Sequence, residues 1–189
     1  KTLGALGDGG AVWTGSPALA KRLRALRQHG QLSKQYPSSE LGRNSRLDAF
    51  QAAMLSVFLP HLDDEIKERR ALLERYRARL SGCPGLTLLG PDHLDGHGAQ
   101  QMIVRSEDRD GLASYLQDVG VGTAIYYRAP LHHLKPYRQC PALGELTNAE
   151  QAARQTLALP LYPGLSQDAV DEVCSRIISY QSSIFDSPR

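Results

Sequence analysis

A lysine heading a glycine-rich run is the first place where this sequence offers covalent chemistry. Lys1 is followed by Gly4, Gly7, Gly9 and Gly10, with Asp8 among them. Glycines accept positive φ and let the backbone lie close against a small ligand. A primary amine beside such a loop, held partly out of water, binds its proton less tightly and can form a Schiff base with an aldehyde. The spacing fits neither GxGxxG nor GxxxxGK[ST]. By itself the run also reads as a turn into an apolar strand at residues 11–14.

A second group suits an anion. Asn44 and Arg46 stand in the turn before a predicted helix, within Gly42-Arg43-Asn44-Ser45-Arg46-Leu47-Asp48. Unpaired N–H groups and the positive dipole end collect at a helix start, so an amide and a guanidinium there fit phosphate or carboxylate. The plain alternative is a helix start capped by Ser45.

Other clusters read as structural. His93, His97, Asp92 and Asp95 share a Gly/Pro-rich loop with no preformed geometry, and His132-His133 carries no metal pattern of its own, so no metal site is expected. Cys83, Cys140 and Cys174 form an odd, widely spaced set without CxxC. They indicate neither a disulfide framework nor a zinc site, and a reducing cytoplasm is the expected setting. The 189 residues carry 22 Lys and Arg against 20 Asp and Glu, a net charge of +2 that gives no general attraction to nucleic acid or membrane. Arg75, Arg77 and Arg79, and the run Lys21-Arg22 with Arg24 and Arg27, read as solvated helix faces. No apolar stretch is long enough to span a bilayer.

The elements that must position these groups follow from period and punctuation. Ser16 and Pro17 open a helix with Leu19, Leu23 and Leu26 as its buried stripe, and Gly30 closes it. A helix is predicted over 47–58. Pro60 bends the chain into another, on which Leu62, Ile66, Leu73, Tyr76 and Leu80 recur at helical spacing. Asp63, Asp64 and Glu65 open that helix and arginines end it, which suits the macrodipole and makes the acids structural. Beyond Gly85 the pattern predicts strands at 86–89, 102–105 and 122–126, helices at 109–119, 148–157 and 167–180, and a frayed tail over 181–189. The fold class is α/β, with residues 1–58 ending one domain and 59–189 forming a small domain with a mostly antiparallel sheet.

Taken in order, the motifs resemble the DegT/StrS-type nucleotide-sugar aminotransferases, fold-type I enzymes that use pyridoxal 5′-phosphate (PLP). The resemblance runs from Lys1-x-Leu3-Gly4 and Gly7-Asp8-Gly9-Gly10 through His29-Gly30 and Gly42-x-Asn44-x-Arg46-Leu47-Asp48. It continues through Gln51-Ala52-Ala53, Arg109-Asp110 and Gly120-Val121-Gly122-Thr123 to Tyr127, Pro130-Leu131-His132 and Leu159-Pro160-Leu161-Tyr162-Pro163. It implies that residues 1–58 are the end of the large PLP-binding domain and that Lys1 is the Schiff-base lysine. Asn44 is implied to reach the cofactor phosphate of the neighbouring subunit in a homodimer with a shared site. Arg46 is implied to face substrate, with Tyr126, Tyr127 and His132 at the sugar pocket. Tyr126 departs from the family, in which many members carry histidine. Many also carry histidine two residues after the position of Tyr36, where this chain has Ser38.

The implied reaction moves an amino group from an amino acid, glutamate being the expected donor, to a nucleotide-linked keto sugar. Lys1 serves in turn as nucleophile, base and acid. The family's upstream half supplies the acid at the pyridine nitrogen, the aromatic on the ring and the remaining phosphate contacts. The chain is therefore expected to be the C-terminal part of such an enzyme, starting at the PLP lysine and inactive alone. Two other readings stand beside this one. A PLP-dependent sugar dehydratase would carry histidine in place of Lys1, and a non-catalytic oligomerisation or regulatory module would bind no cofactor.

Overall fold

The structure, a computed structural model, describes residues 1–33, 37–141 and 144–185. It divides into two compact units, Lys1–Leu62 and Asp63–Arg189. The sequence placed the change at 58–59.

In the first unit, helix α1 (Pro17–Leu26) starts as expected, with Pro17 in its first turn and the Ser16 side chain accepting from the Leu19 N–H at 3.3 Å. Its far end is closed by the chain itself. The carbonyls of Leu26 and Arg27 accept from Arg43 and Ser45 at 2.8 and 2.9 Å, and His29 donates to Arg43 O at 3.0 Å. These bonds satisfy carbonyls that a helix end leaves unpaired. Close packing of this return requires glycine. A Cβ on Gly30, whose φ is +73°, would lie 1.8 Å from Glu40 O, and one on Gly42 would lie 2.0 Å from Gly30 N.

Helix α2 (Ala49–Phe58) has Asp48 at its N-cap position, so Ser45 is not the cap; its backbone N–H is spent on Arg27. Asn44 and Arg46 accordingly lie on an extended return and not in a turn at the helix start. Two further expectations fail here. Residues 11–14 form no strand: no neighbouring strand among the described residues gives them a ladder, and Trp13 is 93% exposed. The Leu19–Leu23–Leu26 stripe is not buried either. Leu19 is exposed and the other two are half-buried, while Ala25 is the buried hydrophobic residue of α1. Helix α2 is apolar around most of its circumference and none of its residues is buried.

The second unit is built on an antiparallel sheet in the order β1–β2–β3, with β1 at Leu86–Leu88, β2 at Met102–Ser106 and β3 at Thr156–Leu159. Helices α3 (Leu62–Leu80), α4 (Arg109–Asp118), α5 (Thr147–Gln155) and α6 (Gln167–Phe185) accompany it. A 3₁₀ turn, Leu59–His61, carries Pro60 ahead of α3. One core joins Leu73, Tyr76 and Leu80 of α3, Met102 and Val104 of β2, Leu112 and Leu116 of α4, Leu157 of β3 and Val170 and Ile177 of α6. Burial alternates along β2, the signature of a strand with one face on the core.

Strand β3 replaces the end of the helix expected over 148–157. The expected strand at 122–126 is reduced to a single bridge, Ala124 with Ala158. The tail also differs from expectation. Residues 181–185 continue α6, Gln181 is 2% exposed, and its amide donates to Ser106 Oγ at 3.2 Å. Residues 186–189 lie outside the described part. The arginine run on α3 is not merely a solvated face. Arg75 grips Asp171 of α6 through two bonds of 2.6 and 2.8 Å, Arg79 lies 3.5 Å from the same carboxylate, and Arg77 donates to Pro91 O. The guanidinium of Arg75 holds the Asp171 carboxyl below its ordinary value.

Candidate active site

Each sequence-predicted residue has a defined place within its own unit. In the first, the return from α1 puts Asn44 in an isolated bridge with Gln28. Arg46 Nε donates to Asn44 Oδ1 at 3.2 Å. Asn44 thus accepts from Arg46 and keeps its two amide hydrogens, while Arg46 keeps its terminal N–H groups. Both residues are exposed. The pair offers amide and guanidinium donors outward, the chemistry that a phosphate or carboxylate requires.

The glycine loop is tied to α2 by Gln51, whose Nε2 donates to Asp8 O at 3.0 Å. Gly4 has φ +85° and Gly7 φ +140°, and a Cβ on Gly10 would meet nothing within 4 Å. Internal packing therefore does not dictate glycine at position 10, which leaves close approach by another group as a reason for it. Lys1 is exposed, and its carbonyl accepts from Gly4 N at 3.1 Å. The partial burial expected around its amine is not seen within this unit, where Lys1 is exposed. No bond joins Lys1 to Asn44 or Arg46 among the described residues. The donor set, an amine for an aldehyde and an amide with a guanidinium for a phosphate, fits PLP in chemical kind.

Tyr36 lies outside the described residues. At the neighbouring departure, Ser38 Oγ donates to His29 O at 2.8 Å and Ser39 N to Gly30 O at 3.0 Å. The serines brace the 29–30 turn.

In the second unit the Ala124–Ala158 bridge, with bonds of 3.1 and 2.7 Å, holds the chain beside β3 and brings Tyr126 to a pocket of about 320 Å³. Gln100, Gln101 and Thr123 also line it. Amides and a hydroxyl beside an aromatic ring suit a hydroxylated ring ligand. The rings of Tyr126 and Tyr127 meet edge to face at 5.6 Å, and Tyr127 is 69% exposed.

His132 Nε2 lies 3.2 Å from Glu150 Oε1, and His133 Nε2 lies 3.5 Å from the same oxygen. The hydrogen bond with His132 is the chief reason the Glu150 carboxyl lies below its ordinary value, against an opposing effect of burial. Sequence reasoning missed Glu150, since nothing in the local pattern of α5 distinguishes it from a solvent-facing acid. In the loop holding His93 and His97, His97 O accepts from Arg70 at 2.8 Å and its Nδ1 from Ala99 N at 3.2 Å.

Comparison with known proteins shows which family the chain resembles. A protein of Saccharopolyspora erythraea, the erythromycin biosynthesis sensory transduction protein EryC1, is 42% identical over 94% of this chain and 48% of its own length. The dTDP-3-amino-3,4,6-trideoxy-alpha-D-glucose transaminase of Streptomyces venezuelae is likewise 42% identical, again over 94% of this chain and 48% of its own. The chain thus spans about half the length of these relatives. Among solved structures, S. venezuelae DesV in complex with a ketimine intermediate superposes with a TM-score of 0.88 at 40% identity, covering 96% of this chain and 49% of DesV. Residues 1–178, which include every site residue named above, match the DegT/DnrJ/EryC1/StrS aminotransferases, and the chain belongs to that family.

Proposed function

We infer that this chain carries the lysine-bearing part of a PLP-dependent sugar aminotransferase, which moves an amino group from an amino acid, glutamate, to a nucleotide-linked keto sugar. The observation that carries the reading is the family match, which begins at Lys1 and takes in Asn44, Arg46, Tyr126, Tyr127 and His132. A transaminase acting at the dTDP-sugar level is among the 42% identical relatives.

PLP supplies, when bound, the electron sink that lets a proton leave the carbon bearing the amine. Lys1 Nζ is the group that holds it. Once free, that amine takes the proton from the α-carbon of the amino donor and returns one at the carbon that had been the sugar's carbonyl. Asn44 Nδ2 would donate to the cofactor phosphate of a partner subunit, and Arg46 would bind an anionic group of the substrate. Tyr126 orients the sugar from its pocket, with Tyr127 and His132 at the rim. Lys1 favours this reaction over dehydration, which in this fold employs a histidine at that position.

A homodimer is the fitting assembly. Val12, Trp13, Leu41 and Phe50 are 71%, 93%, 100% and 69% exposed, and further polypeptide would withdraw such surface from water. The setting proposed is a reducing cytoplasm, in line with three widely spaced cysteines, Cys83, Cys140 and Cys174, that form no CxxC pattern. Among the described residues no helix is long and apolar enough to cross a membrane.

The test is an assay of the polypeptide containing this chain, with PLP, amino acids and dTDP- or UDP-linked keto sugars. A 2-oxo acid and an amino sugar in equal amounts are expected. A dehydrated sugar without amine, or a protein that binds no PLP, overturns the reading.

A further inference from the structure

The geometry points to a binding site for a divalent transition-metal ion, of the Zn²⁺ class, formed by His132, His133 and Glu150. The two histidines occupy a 3₁₀ turn, Leu131–His133, which follows Pro130 and is closed by His133 N donating to Pro130 O and Leu134 N to Leu131 O, both at 3.0 Å. Successive side chains on a 3₁₀ helix splay about 120° apart. Here both imidazoles nevertheless turn Nε2 onto one oxygen of Glu150, at 3.2 and 3.5 Å, with ring centroids 4.3 Å apart and planes at 68°.

Those separations match a coordination polyhedron. Tetrahedral bonds of about 2.0–2.1 Å to nitrogen and oxygen put neighbouring ligand atoms about 3.3–3.4 Å apart. The three ligand atoms all lie within 4.8 Å of one another, so small side-chain rotations close the set around an ion. Two imidazoles and one carboxylate are borderline donors that prefer Zn²⁺, Co²⁺, Ni²⁺ or Cu²⁺ to Mg²⁺ or Ca²⁺, which seek oxygen.

Access and charge also suit an ion. His132 and Glu150 line a pocket of about 390 Å³ together with Glu145 and Thr147, which leaves room for a water as fourth ligand. Arg154 approaches Glu150 at Oε2, 4.0 Å away, and is 68% exposed, so it does not occupy the Oε1 side where the imidazoles converge. Binding would pin the 3₁₀ turn to α5. This inference does not depend on the aminotransferase reading.

The experiment titrates chelator-stripped, tag-free protein with Zn²⁺ and, separately, with Co²⁺, without PLP. One equivalent, a tetrahedral Co²⁺ absorption spectrum and a rise in unfolding temperature are expected. Glu150→Gln and His133→Ala should each weaken binding by about tenfold or more, while His93→Ala leaves it unchanged. His133 is 53% exposed, so its replacement spares the fold, and unfolding of both variants in chelator verifies this. Weak uptake of several equivalents that is indifferent to both variants would mean an adventitious ion only. That result overturns the site, as does tight binding that is lost with His93.

Discussion

Arg46 donates its Nε hydrogen to Asn44 Oδ1 at 3.2 Å, and this pairing leaves Asn44 as a donor toward whatever lies outside. If that neighbour is the cofactor phosphate, the change Asn44→Asp keeps the acceptor for Arg46 while replacing the donating amide with a negative charge. A hydrogen bond to a charged group contributes about 1.5–3 kcal/mol. PLP affinity should therefore fall by about 10- to 100-fold, as read by equilibrium titration. Unchanged affinity would remove Asn44 from the phosphate site.

Gly42 and Gly10 should behave differently under the same substitution. A Cβ on Gly42 meets backbone only, at 2.0 Å from Gly30 N, 2.5 Å from His29 C and 2.7 Å from Leu26 O, whereas one on Gly10 meets nothing. Gly42→Ala forces the Asn44-bearing return away from α1 and should cost about 1–3 kcal/mol in urea unfolding. Gly10→Ala should leave stability within about 0.5 kcal/mol but weaken PLP binding, if the loop abuts the cofactor.

Tyr76, fully buried, donates its hydroxyl hydrogen to Pro160 O at 2.9 Å and so locks α3 to the Leu159-Pro160-Leu161 segment beside Tyr126. Tyr76→Phe keeps the ring and removes one bond. The expected loss is about 1–2 kcal/mol in urea unfolding. A loss near zero would show the carbonyl re-satisfied by water.

Much of this fold is written locally. Ser16-Pro17 and Gly30 bracket α1, the recurrence of Leu73, Tyr76 and Leu80 marks the buried face of α3, and short apolar runs mark β1 and β2. What escaped depends on neighbours. Thr156-Leu157-Ala158-Leu159 follows α5 without a break, and a short apolar run cannot be told from the last turn of a helix by period alone. It becomes a strand because β2 offers it a ladder. Residues 11–14 have the composition of a strand and no ladder among the described residues. Asn44 and Arg46 were legible as a pair from their spacing. Glu150 was not, because its meaning comes from two histidines brought to it across a loop.

Alkaline pH should loosen the second unit through Cys174. Burial pushes this thiol up from 9.0 to about 12. The unfolded chain therefore releases the proton near pH 9 while the folded chain keeps it, so stability is intact below 9 and falls as pH rises toward 12. The limiting slope is about 1.4 kcal/mol per pH unit. Cys174→Ala should flatten this limb in urea unfolding across the range. An unchanged slope would place its origin elsewhere.

The central claim is that Lys1 Nζ bonds the cofactor, and the measurement that reaches it most directly is chemical trapping. The polypeptide containing this chain is loaded with PLP, reduced with borohydride, digested and mapped by mass. The pyridoxyl label should sit on Lys1 in near-stoichiometric amount, and Lys1→Ala should abolish it. Label spread over Lys21, Lys67 and Lys135 with none on Lys1, or labelling that survives Lys1→Ala, would contradict the account.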